Sequence, residues 1–437
     1  MKEVLPPPTP AIVQNETKRI RDLFEQNVVP SYARFDLALK RGDGSYAWDV
    51  DGKRYLDLAS GIAVCSLGHA HPEMIKALTE QSQKLIHVSN LYYNELQGRL
   101  AKRIVDLIAP GRVFFCNSGA EANEGLFKFA RKFGHDEGRY EIITTLDSFH
   151  GRTLAGIAAT GQEKVKKGFE PAVAGFKHVP FNDLEATRAA ITSSTAAILI
   201  EPIQGESGIT IATPEYLFGL RELCDEHNLL LLFDEVQAGH FRTGRFQSWQ
   251  RILENEAADL VPDGVSMAKG LGGGFPIGAF WVGEKFANVL SAGTHASTFG
   301  GSPLACAVAS RIFDVIERED LATNARRIGD VLLGELQMLS KKFPRVLHEV
   351  RGLGLMIGLE FEPTLAAFSQ SDKSPAIQVA ERLHEKDVLT VPAAHSVIRL
   401  LPALNLSKRE AEEGLRAIEQ VVEALNRESR FENRISM

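Results

Sequence analysis

Along the 437-residue chain, the spacing of apolar and polar positions changes character twice. Between residues 45 and 61 (SYAWDVDGKRYLDLASG) the two alternate around Asp51-Gly52, the pattern of two strands joined by a tight turn. From about residue 72, helical spacing alternates with short apolar runs. RVFFCN (112–117) is one such run, and it feeds SGAEANEGLFKFARKF, where Ala122, Leu126, Phe129, Ala130 and Phe133 recur on one helical face. YEIITTLDSFH, TAAILIEPIQGE and NLLLLFDEVQAG repeat the scheme: an apolar run, as in a strand covered on both faces, ending in polar residues. This predicts an α/β fold with a largely parallel sheet between helices. Beyond about residue 305 come long amphipathic helices and then GLGLMIGLEFE (352–362), whose alternation predicts a half-exposed strand of a smaller α+β domain. The predicted organisation is an N-terminal segment, 1–70, contributing to the small domain, a large domain over 71–305, and a C-terminal small domain over 306–437. LPPPTP (5–10) reads as an extended arm or partner-binding tail.

Composition narrows the function classes. Hydrophobic (44%) and charged (24%) fractions suit a globular chain, and a net charge of −7 argues against nucleic acid or anionic membranes as partners. No apolar run approaches the roughly 18 residues of a membrane span. The first residues, MKEVLPPPTPAIVQNETKR, lack the apolar stretch of a secretory leader. Cys65, Cys116, Cys224 and Cys306 lie far apart without metal-ligand spacing. The expectation is a cytoplasmic enzyme with reduced thiols and no metal.

In a parallel sheet, ligands bind beyond the carboxyl ends of the strands. Asn117-Ser118, Phe149-His150, Glu201 and Asp234-Glu235 are therefore candidates for one shared site. At Ser118-Gly119-Ala120, free N–H groups of a helix start suit a phosphate, while Ser118 or Asn117 as N-cap with Glu121 in a capping box explains the same residues. No Gly-x-x-x-x-Gly-Lys occurs, and no Gly-x-Gly-x-x-Gly follows a strand, which weakens nucleotide readings. Asp234, leaving a deeply apolar strand, needs a cationic or hydrogen-bonding partner, or caps the next turn. Lys269, in SMAKGLGGGF, is a surface lysine on the plainer reading. Desolvated, it is a nucleophile able to bond a carbonyl, and the glycines beside it leave room for a planar ring.

Seven motifs in chain order carry a resemblance: LDLASGIAVCSLGHAHP, FFCNSGAEANE, SFHGRT, EPIQGESG, FDEVQAG, AKGLGGGFPIGA and STFGGSPLACA. Over about residues 33–425 the chain resembles the class III, fold-type I aminotransferases that use pyridoxal 5′-phosphate (PLP). Within them, SNLYYNELQGRLA and ATGQEKVKKGFEP are most similar to the acetylornithine branch of arginine biosynthesis. The resemblance implies that Lys269 bonds PLP and shuttles a proton, that Asp234 pairs with the ring nitrogen, and that Gln237 bonds the ring oxygen. Phe149 would stack on the ring with His150 beside it, and Ser118, Gly119 and Ala120 would hold the phosphate. Thr298 would reach in from the other subunit of a homodimer. Amino-acid and 2-oxo-acid substrates would meet Arg399 and Arg152, with Glu206 as a gate over Arg399, and Asn90, Tyr92 and Ser297 lining the acyl-ornithine pocket. Succinylornithine, ornithine and 4-aminobutyrate aminotransferases, or a PLP aminomutase, are the alternatives. The chain departs from the family pattern at Ala238, at His240-Phe241 (in place of a smaller pair), at Ala296 and at Ser302. His240 and Phe241 are expected to reshape the substrate entrance.

Overall fold

The computed structural model describes residues 10–435. All but the last residue of LPPPTP lie outside them, and Pro10 opens the helix Pro10–Asn27, where a missing N–H is harmless. The hairpin forms as the alternation predicts: Tyr46–Asp49 pairs antiparallel with Arg54–Asp57, with Ala47 opposite Tyr55. Asp49 Oδ1 fixes the turn by accepting the N–H groups of Asp51 and Lys53 at 2.9 and 2.8 Å. Val388–Leu389 adds to this hairpin in parallel, so widely separated parts of the chain share one small sheet.

The central sheet has seven strands: β1 (Gly111–Cys116), β2 (Glu141–Thr145), β3 (Phe176–Val179), β4 (Thr195–Ile200), β5 (Leu230–Asp234), β6 (Gly264–Met267) and β7 (Gly278–Gly283). Their spatial order is β1-β7-β6-β5-β4-β2-β3, and only β7 runs antiparallel to its neighbours. The continuous apolar runs have a direct cause. Ile198, Ile200, Leu231 and Phe233 point into one core, and Ala197, Leu199, Leu230 and Leu232 into another on the opposite face. Each fully buried Leu or Ile contributes about 1.5–3 kcal/mol. Leu126, Phe129 and Ala130 of the helix Gly119–Gly134 pack into the second core, and Gly125 brings that helix onto β7, since a Cβ there would overlap the Phe280 ring.

One strand differs from expectation. Within 352–362 the chain makes a hairpin: the strand Leu347–Leu353 ends there, Gly354-Leu355 turn, and Met356–Phe361 returns antiparallel, buried on both faces. Ile357, Leu359 and Phe361 join a core with the helices Leu321–Lys342 and Lys408–Ile435. Met356 packs on Ile203, Ile209 and Ala238, and Gly358 lies against Gly208 and Ile209. The face expected to meet solvent meets the chain around 203–211. No helix among the described residues is long and apolar enough to cross a membrane.

Candidate active site

The carboxyl ends of β1, β2, β4, β5 and β6 converge on a cavity of about 400 Å³. Asp234 ends β5 on its floor. Its Oδ2 accepts from Asn123 Nδ2 at 2.7 Å and pairs with His150 Nδ1 at 2.8 Å, while Oδ1 accepts the N–H of Val236 at 3.0 Å. Asp234 therefore caps its own turn and also faces the cavity. Glu201, just past β4, accepts the Phe149 N–H at 2.9 Å. Burial, and then the charge of Asp234, push its carboxyl well above the ordinary range. Glu235 does not join this group. It turns away, and its Oε1 accepts from Ser248 and Trp249 at the start of the helix Ser248–Ile252, while burial raises its carboxyl to about 7.

At the end of β1 the capping reading of the helix start is realised, and the first-turn amides stay open beside it. Ser118 Oγ accepts the Glu121 N–H at 3.2 Å and Glu121 takes the Asn117 N–H at 2.9 Å, which caps the helix. Ser118, Gly119 and Ala120 still line the cavity, where the first-turn amides have no partner within the helix. Gly119 is required there, because a Cβ would stand 2.6 Å from Val236 Cγ1.

Lys269 follows β6 with φ 44°, and its side chain enters the cavity. Burial lowers its amine to about 8, although Glu206 and Asp234 favour the charged form. The glycines after it do not serve as room for a ring. Gly270 packs on Ser66 and His240, Gly272 on the Phe275 backbone, and Gly273 on Ile312. Only Gly274 lines the cavity. The departures at His240 and Phe241 also lie elsewhere than expected. His240 is buried beneath Gly270, edge-on to Phe246, with burial lowering its imidazole to about 3. Phe241 packs on Phe246 and Phe313. Neither lines the cavity, because the turn after Asp234 sends residues 240–241 behind the Lys269 loop.

Arg399, in the strand Val397–Leu400, is almost fully buried and makes a two-pronged pair with Glu206: Nη1 to Oε1 at 2.8 Å and Nη2 to Oε2 at 3.1 Å. Burial alone would raise the Glu206 carboxyl, but Arg399 and Gln237 outweigh it and bring it to about 2. Gln237 bonds both partners. Arg152 stands exposed at the cavity rim, its guanidinium 5.5 Å from the Phe149 ring centre.

A buried lysine with a lowered amine, facing an aspartate at the end of a parallel strand, is machinery for amine chemistry. The family model "Aminotransferase class-III" matches residues 28–422. The chain belongs to this family.

This aminotransferase is 45% identical over 410 residues to the acetylornithine aminotransferase of Nostoc sp., covering 92% of this chain and 93% of that one. It is 44% identical to the succinylornithine transaminase/acetylornithine aminotransferase of Pseudomonas aeruginosa, covering 92% and 97%. Among solved structures it is similar to the ornithine aminotransferase of Toxoplasma gondii, with TM-score 0.87, 30% identity, and coverage of 96% and 100%.

Six residues singled out in the sequence of the aminotransferase do not line the cavity: Glu206 and Arg399 meet it through Gln237, and Asn90, Tyr92, Ser297 and Thr298 lie together elsewhere. Asn90 Nδ2 donates to the carbonyls of Ser297 and Gly300 at 3.2 and 2.9 Å, beside exposed Tyr92 and Thr298. Only Ser297 approaches the site, accepting from Asn117 Nδ2 at 3.2 Å. Ser302, another departure, caps the helix Pro303–Arg318. The residue the motifs missed is Asn123, which holds Asp234 and also donates to the His150 carbonyl at 3.0 Å. A lone amide inside the apolar stripe of Ala122, Leu126 and Phe129 was the available signal.

Proposed function

We propose that this aminotransferase moves the δ-amino group of N-acetylornithine to 2-oxoglutarate, using PLP, in a ping-pong cycle within a homodimer. The cavity residues fit the cofactor: His150 Nε2 is buried without a partner, the Ser118–Ala120 amides are open, and Asp234 offers a fixed carboxylate. When bound, PLP supplies the electron sink that lets a proton leave the amine-bearing carbon. Asp234 would hold the ring nitrogen, with Asn123 and His150 keeping its carboxylate oriented. Gln237 would donate to the ring oxygen, Phe149 would cover one face, and the Ser118–Ala120 amides would take the phosphate. Lys269 Nζ, its proton loosely held because of burial, would accept the proton from the amine-bearing carbon and return it to the cofactor carbon on the other side of the shared nitrogen.

The observation that carries the reading is the closed Arg399–Glu206 pair, which is joined to the cavity wall through Gln237. With Arg399 covered, a long amine can enter while its α-carboxylate stays at Arg152 on the rim. With Glu206 displaced, Arg399 can clamp the carboxylate of glutamate or 2-oxoglutarate in bidentate fashion. Two substrates with different carboxylate positions need such a gate, which an aminomutase does not. The acetylornithine aminotransferases among the relatives, 45% identical over 91–92% of the chain, point the same way. The second reading, succinylornithine as donor, is favoured by the double name of the Pseudomonas relative.

The test is a donor panel of acetylornithine, succinylornithine, ornithine and 4-aminobutyrate with 2-oxoglutarate. An acylated ornithine should exceed the free amines in kcat/KM by at least about tenfold, equivalent to about 1.4 kcal/mol of barrier. Preference for ornithine or 4-aminobutyrate would refute the substrate assignment. A colourless protein, with no visible band lost on borohydride treatment, would refute PLP.

A further inference from the structure

We infer that Gly205 and Gln237 form a latch that sets how readily Arg399 is released to a substrate carboxylate, an inference that rests on the gate reading proposed above. Arg399 and Glu206 do not act as a pair alone. Gln237 Nε2 donates to Glu206 Oε1 at 3.1 Å, the same oxygen that accepts from Arg399 Nη1 at 2.8 Å. Gln237 Oε1 in turn accepts from Arg399 Nη1 at 2.9 Å. The amide thus closes a ring of hydrogen bonds, and Glu206 cannot leave Arg399 without opening it.

Gly205 is what lets the amide sit there. A Cβ on residue 205 would overlap Gln237 Oε1 and stand 2.6 Å from Cδ. Gly205 does not have a left-handed backbone, so no turn demands glycine at this position; the close approach of the amide does. The Gly205 carbonyl also accepts from Arg399 Nη1, at 3.2 Å. Any side chain at 205 drives the amide out of the ring and leaves Glu206 held by Arg399 alone. Because a ligand's apparent affinity falls with the fraction of protein in the binding-competent state, a tighter latch means weaker carboxylate binding.

Glutarate isolates this effect, since it has the two carboxylates but neither an amine nor a keto group to react. Its dissociation constant is measured by calorimetry for the holoenzyme and for the Gly205→Ala and Gln237→Leu variants. Glutarate should bind about five- to tenfold more tightly to each, the scale expected for removing one or two hydrogen bonds from the closed state. In a Glu206→Gln background the Gly205→Ala change should shift binding less than twofold, because the latch acts through Glu206. Unchanged or weaker binding by Gly205→Ala overturns the inference, as does an equal effect with and without Glu206→Gln. Should Gly205→Ala not fold, Gln237→Leu decides by the same criterion. Failure of the wild type to use acetylornithine would remove the substrate reading and leave the binding result intact.

Discussion

Lys269 shows at the level of one residue how function and stability oppose each other. In the folded protein its amine loses its proton near pH 8, against 10.5 when free. Between those values the unfolded chain holds a proton that the folded chain lacks, so stability rises with pH through that window, and below pH 8 the whole penalty, about 3 kcal/mol, stands. Lys269→Met should therefore abolish transamination yet make the cofactor-free protein more stable at pH 7 by about 1–3 kcal/mol. Urea unfolding of the apoprotein measures this, and a less stable variant would contradict it. Asp234 was legible because a carboxylate leaving an apolar strand needs a partner, whereas Lys269 and Arg399 were legible only through the motifs around them, since alone each reads as a surface charge. His240 was misread because the direction of a side chain inside the turn that follows Asp234 is a tertiary fact. Only the packing of Gly270 over it reveals that it faces the core.

Among the elements, the strands β1, β2, β4 and β5 were readable because each meets an apolar layer on both faces, leaving an unbroken run in the sequence. The strand Met356–Phe361 was readable as a strand but not in its burial, since the segment covering its second face lies about 150 positions earlier, around residues 203–211. The helix Gly119–Gly134 combines capping with an open amide turn, and this depends on how closely its start approaches Val236. Gly119→Ala should push that start outward by the better part of an ångström, since the added Cβ would stand 2.6 Å from Val236 Cγ1. The expected result is at least about tenfold weaker PLP binding, the loss of about 1.4 kcal/mol, with helix content by circular dichroism unchanged. Retention of wild-type PLP affinity would show that the amide turn does not hold the phosphate.

The whole molecule presents an apolar surface that a lone chain does not explain. Leu91 (82% exposed), Tyr93 (fully exposed) and Phe299 (64%) stand out along the segments 85–94 and 297–304, which hydrogen-bond through Asn90. Exposed apolar patches of this kind mark protein interfaces. The proposed dimer would cover them, and Thr298, exposed beside them, would then belong to the site of the other subunit. No periodicity in the sequence reveals such a surface, because its residues come from two segments about 200 positions apart. Shared sites make a prediction that separate sites cannot. Lys269→Ala destroys the site that holds its own lysine, whereas Thr298→Asp places a carboxylate against the phosphate in its partner's site. Each homodimer should be nearly inactive. After subunit exchange, half of the dimers are mixed, and each mixed dimer contains one site with an intact Lys269 opposite an intact Thr298. Mixing two inactive proteins should thus restore about a quarter of wild-type activity. If mixed dimers form, as tagged subunits would reveal, and activity stays at the level of the parents, Thr298 does not serve the opposite site.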